Sequence, residues 1–504
     1  MSVEFEKIIV IGAGAMGRGI AQVATQAGSV VRLYDIQPEQ AEAAWAFVEK
    51  MLRRAAEKGR MATEDAEQAI ARVTVAETLE ACADADLVVE AIVENLEIKQ
   101  QLFRTLESVV SPECVLATNT SSLSVTRIAA TCERPERVAG YHFFNPVPLM
   151  RVVEVVRAQR TSAAVIERLS AYAKQFGHTP VIAEDSPGFL VNHAGRGLFT
   201  EGLRILQESI AEPVDVDRVM REVAGFRMGP FELLDLTGLD VSVPVMEQIY
   251  GQFFQEPRFR PTPLAARRFA AGVLGRKVGE GFYRYRDGQQ EALPETPAPE
   301  FTGGSVWVSP ENPEGVVLVR EFLGKIGVAP ESGECPSDEA LCLVTPLGAD
   351  TTTTALAQSL APERTVAVDV LFGFKGRCTL MGAPTLRSEY RNQAHALFAQ
   401  NGGAVTVVRD SPGFVAQRIV AMIVNIASDI AQQRIATPED INQAVRLGLG
   451  YPQGPLDLGD FVGPQRILAI LEAMHTFYGD PRYRPSPWLK RRALLGISLN
   501  TLEW

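Results

Sequence analysis

Cysteine is scarce in this chain: 504 residues contain six, Cys82, Cys114, Cys132, Cys335, Cys342 and Cys378, with no C-x-x-C pair. That spacing excludes a zinc knuckle, a dithiol redox centre and a disulfide-stapled scaffold, leaves no metal site to expect, and marks the thiols as reduced and structural. No run approaches the roughly 18 unbroken apolar residues that a membrane span needs. Positive charge is in deficit, with 49 Lys plus Arg against 61 Asp plus Glu and a net charge of −12, which argues against a nucleic-acid or anionic-membrane surface. Residues 1–7 are acidic and lead straight into a strand pattern, without the basic, apolar and cleavage regions of a signal peptide, so the chain reads as cytoplasmic. Histidine is limited to His142, His178, His193, His395 and His475, which leaves few candidates for imidazole chemistry.

What remains is ordinary globular composition, 46% hydrophobic and 22% charged, at a length suited to three or four folding units. Part of the chain repeats. Asp185-Ser186-Pro187-Gly188-Phe189 returns as Asp410-Ser411-Pro412-Gly413-Phe414, and 410 minus 185 is an offset of 225. Gly229-Pro230-Phe231-Glu232-Leu233 and Gly454-Pro455-Leu456-Asp457-Leu458 keep that offset, as do Asp215 and Asp440. Long helical patterns over residues 191–209 and 415–434 open both copies, so an all-helical unit is duplicated.

Residues 1–184 instead alternate short β-rich runs (8–11, 30–34, 87–90, 115–117, 138–143, 152–156, 180–182) with helical stretches, the pattern of a largely parallel sheet wrapped by helices. Strand-like runs resume at 306–308, 341–344 and 366–370. The expected fold is α/β: a dinucleotide-binding domain of Rossmann type at 1–185, a helical domain at 186–287, a Pro- and Gly-rich linker at 288–304, a degenerate α/β segment at 305–409, and the second helical copy at 410–504.

The first strand runs into Gly12-Ala13-Gly14-Ala15-Met16-Gly17, then a helix, a second strand and Asp35. Gly12 permits a tight turn, Gly14 lets the backbone approach a pyrophosphate, and Gly17 allows close helix-on-strand packing. Asp35 ends the second strand, where it can accept hydrogen bonds from both hydroxyls of an adenosine ribose and would repel a 2′-phosphate; NAD is the expected cofactor. Among the histidines, His142 closes the run 138–143 at a strand end, where the sheet mounts its chemistry, and Glu154 lies twelve residues on in the next strand. Two such strands can lie side by side and pair carboxylate with imidazole, although the same spelling also serves a purely structural histidine.

The glycine loop, Glu90-Ala91-Ile92-Val93-Glu94-Asn95, Asn119-Thr120-Ser121-Ser122, His142-Phe143-Phe144-Asn145-Pro146, Asp185-Ser186-Pro187-Gly188-Phe189, Asn192 and Gly229-Pro230-Phe231-Glu232 together resemble the L-3-hydroxyacyl-CoA dehydrogenases over residues 1–286. With its duplicated C-terminal region the chain is similar to the double-length bacterial members, associated with phenylacetate and fatty-acid catabolism. The resemblance implies NAD-dependent oxidation of the 3-hydroxyl of an acyl-CoA, with 3-hydroxyadipyl-CoA or 3-hydroxybutyryl-CoA as the substrate. It implies that His142 is the general base, that Glu154 orients it, and that Ser121 and Asn192 bind substrate oxygens and the nicotinamide edge. Glu94, Lys99, Asn119, Asn145 and Lys277 become expected cofactor contacts, and Lys58, Arg53 and Arg54 the cations for the CoA phosphates.

His193 stands where many family members carry Arg, and reads either as a second catalytic histidine or as a helical surface or interface residue. In the second half Asp369 aligns near His142, Met381 near Glu154 and Gln417 on Asn192, with no glycine loop, so that half should be catalytically silent. The resemblance suggests that the duplicate takes the place of a dimer partner within one chain, in place of or beside a homodimer. Two rivals remain: another NAD-dependent β-hydroxyacid or sugar-nucleotide dehydrogenase, and a retired structural relative.

Overall fold

The computed structural model describes residues 4–503; Met1 to Val3, part of the N-terminal segment read above, and Trp504 lie outside the described residues. The chain divides into two compact units, the first ending at His193 and joined by Gln433–Leu449, the second comprising Ala194–Gln432 and the remainder.

In the first unit, eight strands form one sheet: β1 (Lys7–Ile11), β2 (Val30–Tyr34), β3 (Val73–Val75), β4 (Leu87–Glu90), β5 (Val115–Thr118), β6 (Val138–Phe143), β7 (Val152–Arg157) and β8 (Thr179–Glu184). Their order is β3-β2-β1-β4-β5-β6-β7-β8, parallel throughout except between β6 and β7. The central strands are apolar on both faces because helices cover both, and two buried clusters result. Within this sheet β3 is the strand that the sequence reading misses; its three residues are too few to show a period. Helix starts carry their own signals: Asn95 accepts the Ile98 amide before helix Leu96–Val109, and Ser124 accepts that of Arg127.

The tail of this unit comes from the second helical copy. Helix Pro438–Gly448, capped by Thr437, lies along the sheet's last strand, where Ile435 carbonyl accepts from the Glu184 amide at 2.8 Å and Asp440 Oδ1 from that of Ile182 at 3.3 Å. An edge strand presents unpaired amides, and this segment satisfies two of them. The compact units therefore cut across the boundaries expected from sequence, since residues 433–449 fold against the dinucleotide-binding sheet.

In the second unit, a short hairpin, β9 (Tyr285–Arg286) and β10 (Gln289–Gln290), precedes a five-stranded sheet of β11 (Val306–Val308), β12 (Leu341–Val344), β13 (Thr365–Val368), β14 (Arg377–Gly382) and β15 (Ala404–Arg409) in sequential order. Its one antiparallel pair is β13 with β14, so it corresponds to β4 through β8 and lacks counterparts of β1 to β3. The missing part is the half that would carry a glycine loop. The register also corrects one alignment: Val368 faces Leu380, which places Thr379, not Met381, opposite Asp369, because the connection is two residues shorter than between His142 and Glu154. The expected linker is strapped down in part, with Glu295 held by Arg377 at 2.6 Å and Arg218 at 3.1 Å.

The two helical copies meet within this unit. Helices Arg196–Gln207 and Ala416–Gln432 approach so closely that a Cβ on Gly197 would stand 2.7 Å from the Ile423 Cα. Glu201 and Arg418, both fully buried, pair at 2.6 Å across this contact. Around it the ion pairs repeat with the copies exchanged, Arg260 on Asp480 at 3.4 Å and Arg484 on Glu256 at 3.5 Å. Even backbone conformation repeats at the 225-residue offset: Phe189 and Phe414 both have φ of 51°, Ser209 and Arg434 58° and 55°. Likewise Arg409 donates to the Ile210 carbonyl at 3.0 Å, the counterpart of Glu184 on Ile435.

Candidate active site

The glycine loop is shaped by contacts that only glycine allows. Gly12 has φ of +96°, and a Cβ there would fall 2.5 Å from the Ala91 carbonyl oxygen; one on Gly17 would fall 1.8 Å from that of Gly12. A Cβ on Gly14 would meet nothing within 4 Å, and the space it would fill lies at the start of helix Ala15–Gln26, where amides and the helix dipole favour an anion. Asp35 Oδ2 accepts the Ala13 amide at 2.8 Å and Oδ1 that of Gln37 at 3.0 Å, so the acid fixes the loop while keeping lone pairs for ribose hydroxyls. The residues fit a dinucleotide.

Four strands along, His142 and Glu154 are direct cross-strand partners on β6 and β7. His142 Nδ1 lies 2.5 Å from Glu154 Oε2, and the other carboxylate oxygen accepts the amides of Leu190 and Val191 at 2.9 and 2.8 Å. Both side chains are buried, with Phe144 and Phe189 rings 4.5 and 5.8 Å from the imidazole. A carboxylate that accepts from Nδ1 fixes the tautomer and leaves Nε2 as the proton acceptor. Asn192, half-buried, follows immediately after the two amides that anchor Glu154. Asn119 Oδ1 accepts the Phe143 amide at 2.8 Å and so ties the β5 terminus to the strand end bearing His142.

Glu94 gathers the serine loop. One oxygen accepts from Thr120 Oγ1 (2.7 Å), the Ser121 amide (3.0 Å) and Ser122 Oγ (3.0 Å), with Ser121 Oγ at 3.4 Å. Burial would raise its carboxyl, but the Lys99 ammonium and these donors hold it below the usual range. Lys99 itself departs from the expected cofactor contact: it is 1% exposed, bound to buried Glu90 at 2.5 Å and 3.4 Å from Glu94, so it serves the site from behind Glu94. Glu90 is a residue that sequence reasoning misses; it also accepts from Thr118 Oγ1 and the Ile92 amide at 2.7 Å each. Lys277 is in the second unit, half-exposed, and pairs with Asp240 at 2.5 Å.

A cavity of about 940 Å³ opens beside helices Ala15–Gln26 and Pro38–Glu57. Arg54 and Lys58 line it, together with Asn145. Arg53 does not; it turns to Glu49 at 3.0 Å and Glu67 at 3.3 Å, since successive helical residues lie on different faces. Arg18, Arg60 and Arg151 also line the cavity, and the Arg18 guanidinium stacks 3.9 Å from the Phe47 ring. The sequence signal was available, because Phe47, Met51, Arg54 and Lys58 follow helical spacing on one face. His178, another cavity residue, is buried with Nε2 2.9 Å from the Val147 carbonyl, which secures the segment carrying Asn145.

His193 is fully buried, which corrects the reading of a helical surface residue. Its repeat position holds Arg418, engaged with Glu201. Beside the second sheet, Gln417 donates to Asp369 at 3.0 Å and Asp369 Oδ2 has no hydrogen-bond partner among the described residues. No cluster of metal-ligating side chains occurs among the described residues, and burial pushes the thiols of Cys82 and Cys114 up to about 11 and about 12, which makes them unreactive.

A parallel sheet with a glycine loop at one strand end and a carboxylate-held imidazole at another defines an oxidoreductase of the nicotinamide-dependent class. Residues 7–186 match the family model for the 3-hydroxyacyl-CoA dehydrogenase NAD binding domain, and residues 188–285 and 413–498 each match that for its C-terminal domain. The chain belongs to the 3-hydroxyacyl-CoA dehydrogenase family and is an NAD-dependent enzyme. It is 38% identical to the 3-hydroxyadipyl-CoA dehydrogenase of Escherichia coli K12, over 98% of this chain and 99% of that one. It is 42% identical to a probable 3-hydroxybutyryl-CoA dehydrogenase of Bacillus subtilis, over 56% of this chain and 99% of the relative. A crystal structure of 3-hydroxybutyryl-CoA dehydrogenase from Escherichia coli K12 superposes with a TM-score of 0.86 at 36% identity, covering 98% of this chain and 99% of the other.

Proposed function

We propose that His142 takes the proton from the 3-hydroxyl of an (S)-3-hydroxyacyl-CoA through Nε2, while Glu154 fixes the tautomer and stabilises the imidazolium that forms. The observation that carries this reading is the buried His142–Glu154 pair, with the second carboxylate oxygen fixed by two backbone amides. NAD, when bound, would supply the acceptor for the hydride leaving C3. Gly12, Gly14 and Gly17 would hold its pyrophosphate, Asp35 its adenosine ribose, and Glu94, Asn119 and Asn145 the nicotinamide half, with Lys99 acting through Glu94 and Lys277 as a further cofactor contact. Ser121 and Asn192 bind the substrate oxygens.

Coenzyme A occupies the cavity beside helix Pro38–Glu57, where Arg54, Lys58, Arg18, Arg60 and Arg151 supply the cations for its phosphates. The full-length relatives carry both names, 3-hydroxyadipyl-CoA for the curated enzyme and 3-hydroxybutyryl-CoA for the crystal structure; of the two we propose the dicarboxylic substrate, with a place in phenylacetate degradation, on the name of the former. NADH oxidation with 3-oxoadipyl-CoA and with acetoacetyl-CoA tests it: a higher kcat/KM for the dicarboxylic chain is expected, and a preference for acetoacetyl-CoA would reverse the assignment.

The duplicated helices stand in for a dimer partner in this reading, supported by the exchanged ion pairs at their contact. Removal of residues 302–504 should then yield aggregates or new dimers; a soluble monomer would count against it. A reducing, cytoplasmic setting accords with six free cysteines.

A further inference from the structure

The carboxylate that orients His142 is held by backbone, and that backbone is braced by a residue from the silent copy. Glu154 Oε1 accepts the amides of Leu190 and Val191. The Val191 side chain in turn rests on Gly448, the last residue of helix Pro438–Gly448. A Cβ on Gly448 would fall 2.8 and 3.0 Å from the two γ-carbons of Val191, closer than carbon atoms pack, and 3.5 Å from its Cβ, an ordinary contact. Valine is stiff at χ1 and cannot swing its methyls aside cheaply, so any side chain at 448 must displace either the helix or the Val191 backbone.

The helix is not free to yield. Its leading end is fixed to β8 through Ile435 and Asp440, and Asp440 is itself held by Thr437 at 2.7 Å. A rigid element thus runs from the last strand of the sheet to the peptide that grips Glu154. At the repeat-related positions the sizes are exchanged, Ala416 for Val191 and Val223 for Gly448. The small residue at 448 therefore belongs to this contact and is not a property of the repeat.

We infer that Gly448 is a positioning residue for the dehydrogenase reaction, and that the second helical copy is retained in part because its helix completes the support of the catalytic carboxylate. The inference rests on the assignment of His142 as base. It concerns placement, so its signature is a loss in kcat without a matching loss in cofactor affinity.

The test is Gly448→Ala in the full-length chain, assayed by NADH oxidation with acetoacetyl-CoA and by NADH binding through fluorescence. A shift of a few tenths of an ångström at Glu154 should lower kcat about five- to tenfold, on the scale in which 1 Å of misplacement costs about 10²-fold, with NADH affinity unchanged. Adding Val191→Ala to Gly448→Ala restores the missing space and should recover most of kcat. Unaltered kcat in Gly448→Ala, or a loss that Val191→Ala does not relieve, overturns the inference. His142→Ala run alongside separates the two claims: if it keeps full activity, the base assignment fails and this coupling with it, whereas an inactive His142→Ala beside a fully active Gly448→Ala removes the coupling alone.

Discussion

Replacing Glu154 by Gln changes one atom, and its consequence follows from what each carboxylate oxygen does. Oε1 accepts two buried amides, from Leu190 and Val191, while Oε2 faces His142 Nδ1 at 2.5 Å. A glutamine must keep its carbonyl on the two amides, because turning its NH2 towards them would leave two buried donors unpaired at about 1–3 kcal/mol each, or about 2–6 kcal/mol together. The NH2 therefore points at Nδ1, which becomes an acceptor, and the imidazole proton moves to Nε2, the atom that has to receive the substrate proton. With about 1.36 kcal/mol per decade, that preference corresponds to a loss in kcat of roughly 30-fold to 10⁴-fold. The assay is NADH oxidation with acetoacetyl-CoA at saturating cofactor, with NADH affinity measured separately. Affinity should persist, since the glycine loop and Asp35 share no contact with Glu154. A loss in kcat below tenfold, or an equal loss in NADH affinity, would refute the tautomer argument.

Asp35→Ala should raise the KM for NAD roughly 10- to 100-fold, the worth of charged-acceptor hydrogen bonds to the ribose, and soften discrimination against NADP; initial rates with both cofactors would reveal an unchanged preference if cofactor choice lies elsewhere. Arg418→Ala leaves buried Glu201 with the Tyr483 hydroxyl at 2.9 Å and the Arg482 guanidinium at 3.7 Å but without its close cationic partner, so denaturant unfolding should show a loss of about 3–5 kcal/mol, and a loss below about 1 kcal/mol would mean that the pair is dispensable. Asp369 is buried, and burial raises its carboxyl against the opposing hydrogen bonds from Gln417 and the Leu371 amide. A group with a raised folded-state pKa contributes stability at low pH that is lost as pH rises through that value. Asp369→Asn, permanently neutral, should therefore gain in Tm relative to the parent chain as the buffer moves from mildly acidic to mildly alkaline; a constant difference across pH would dismiss the linkage.

The repeat, the glycine loop and the β6–β7 pairing were legible because each is a matter of local pattern: residue spelling, a run into a turn, and two strands joined by a short connection. What escaped was set by geometry that no local pattern encodes. Thr379 rather than Met381 faces Asp369 because two residues fewer join β13 to β14, and a strand that slips by two keeps its hydrophobic alternation intact. Lys99 was expected at the cofactor, yet Glu90, at the end of β4 and buried on every side, draws the ammonium inward. Residues 433–449 looked like part of a helical repeat and nothing else, since the contact that binds them to β8 joins positions some 250 residues apart in sequence. Arg53 and Arg54 were adjacent letters on different faces of a helix.

The buried pair between the helical copies has one further consequence. In a homodimer with two-fold symmetry each contact occurs twice, so Glu201 facing Arg418 would demand the same pair on the other side. Here the positions 225 residues away are Ile426 and His193, so this buried pair occurs once, unlike the exchanged pairs Arg260–Asp480 and Arg484–Glu256 around it. Fusion has released the two faces from having to be identical, so each can drift towards its own partner and away from itself. The joint is also indifferent to dilution, because the two halves are covalently tethered and their effective concentration does not fall with that of the protein.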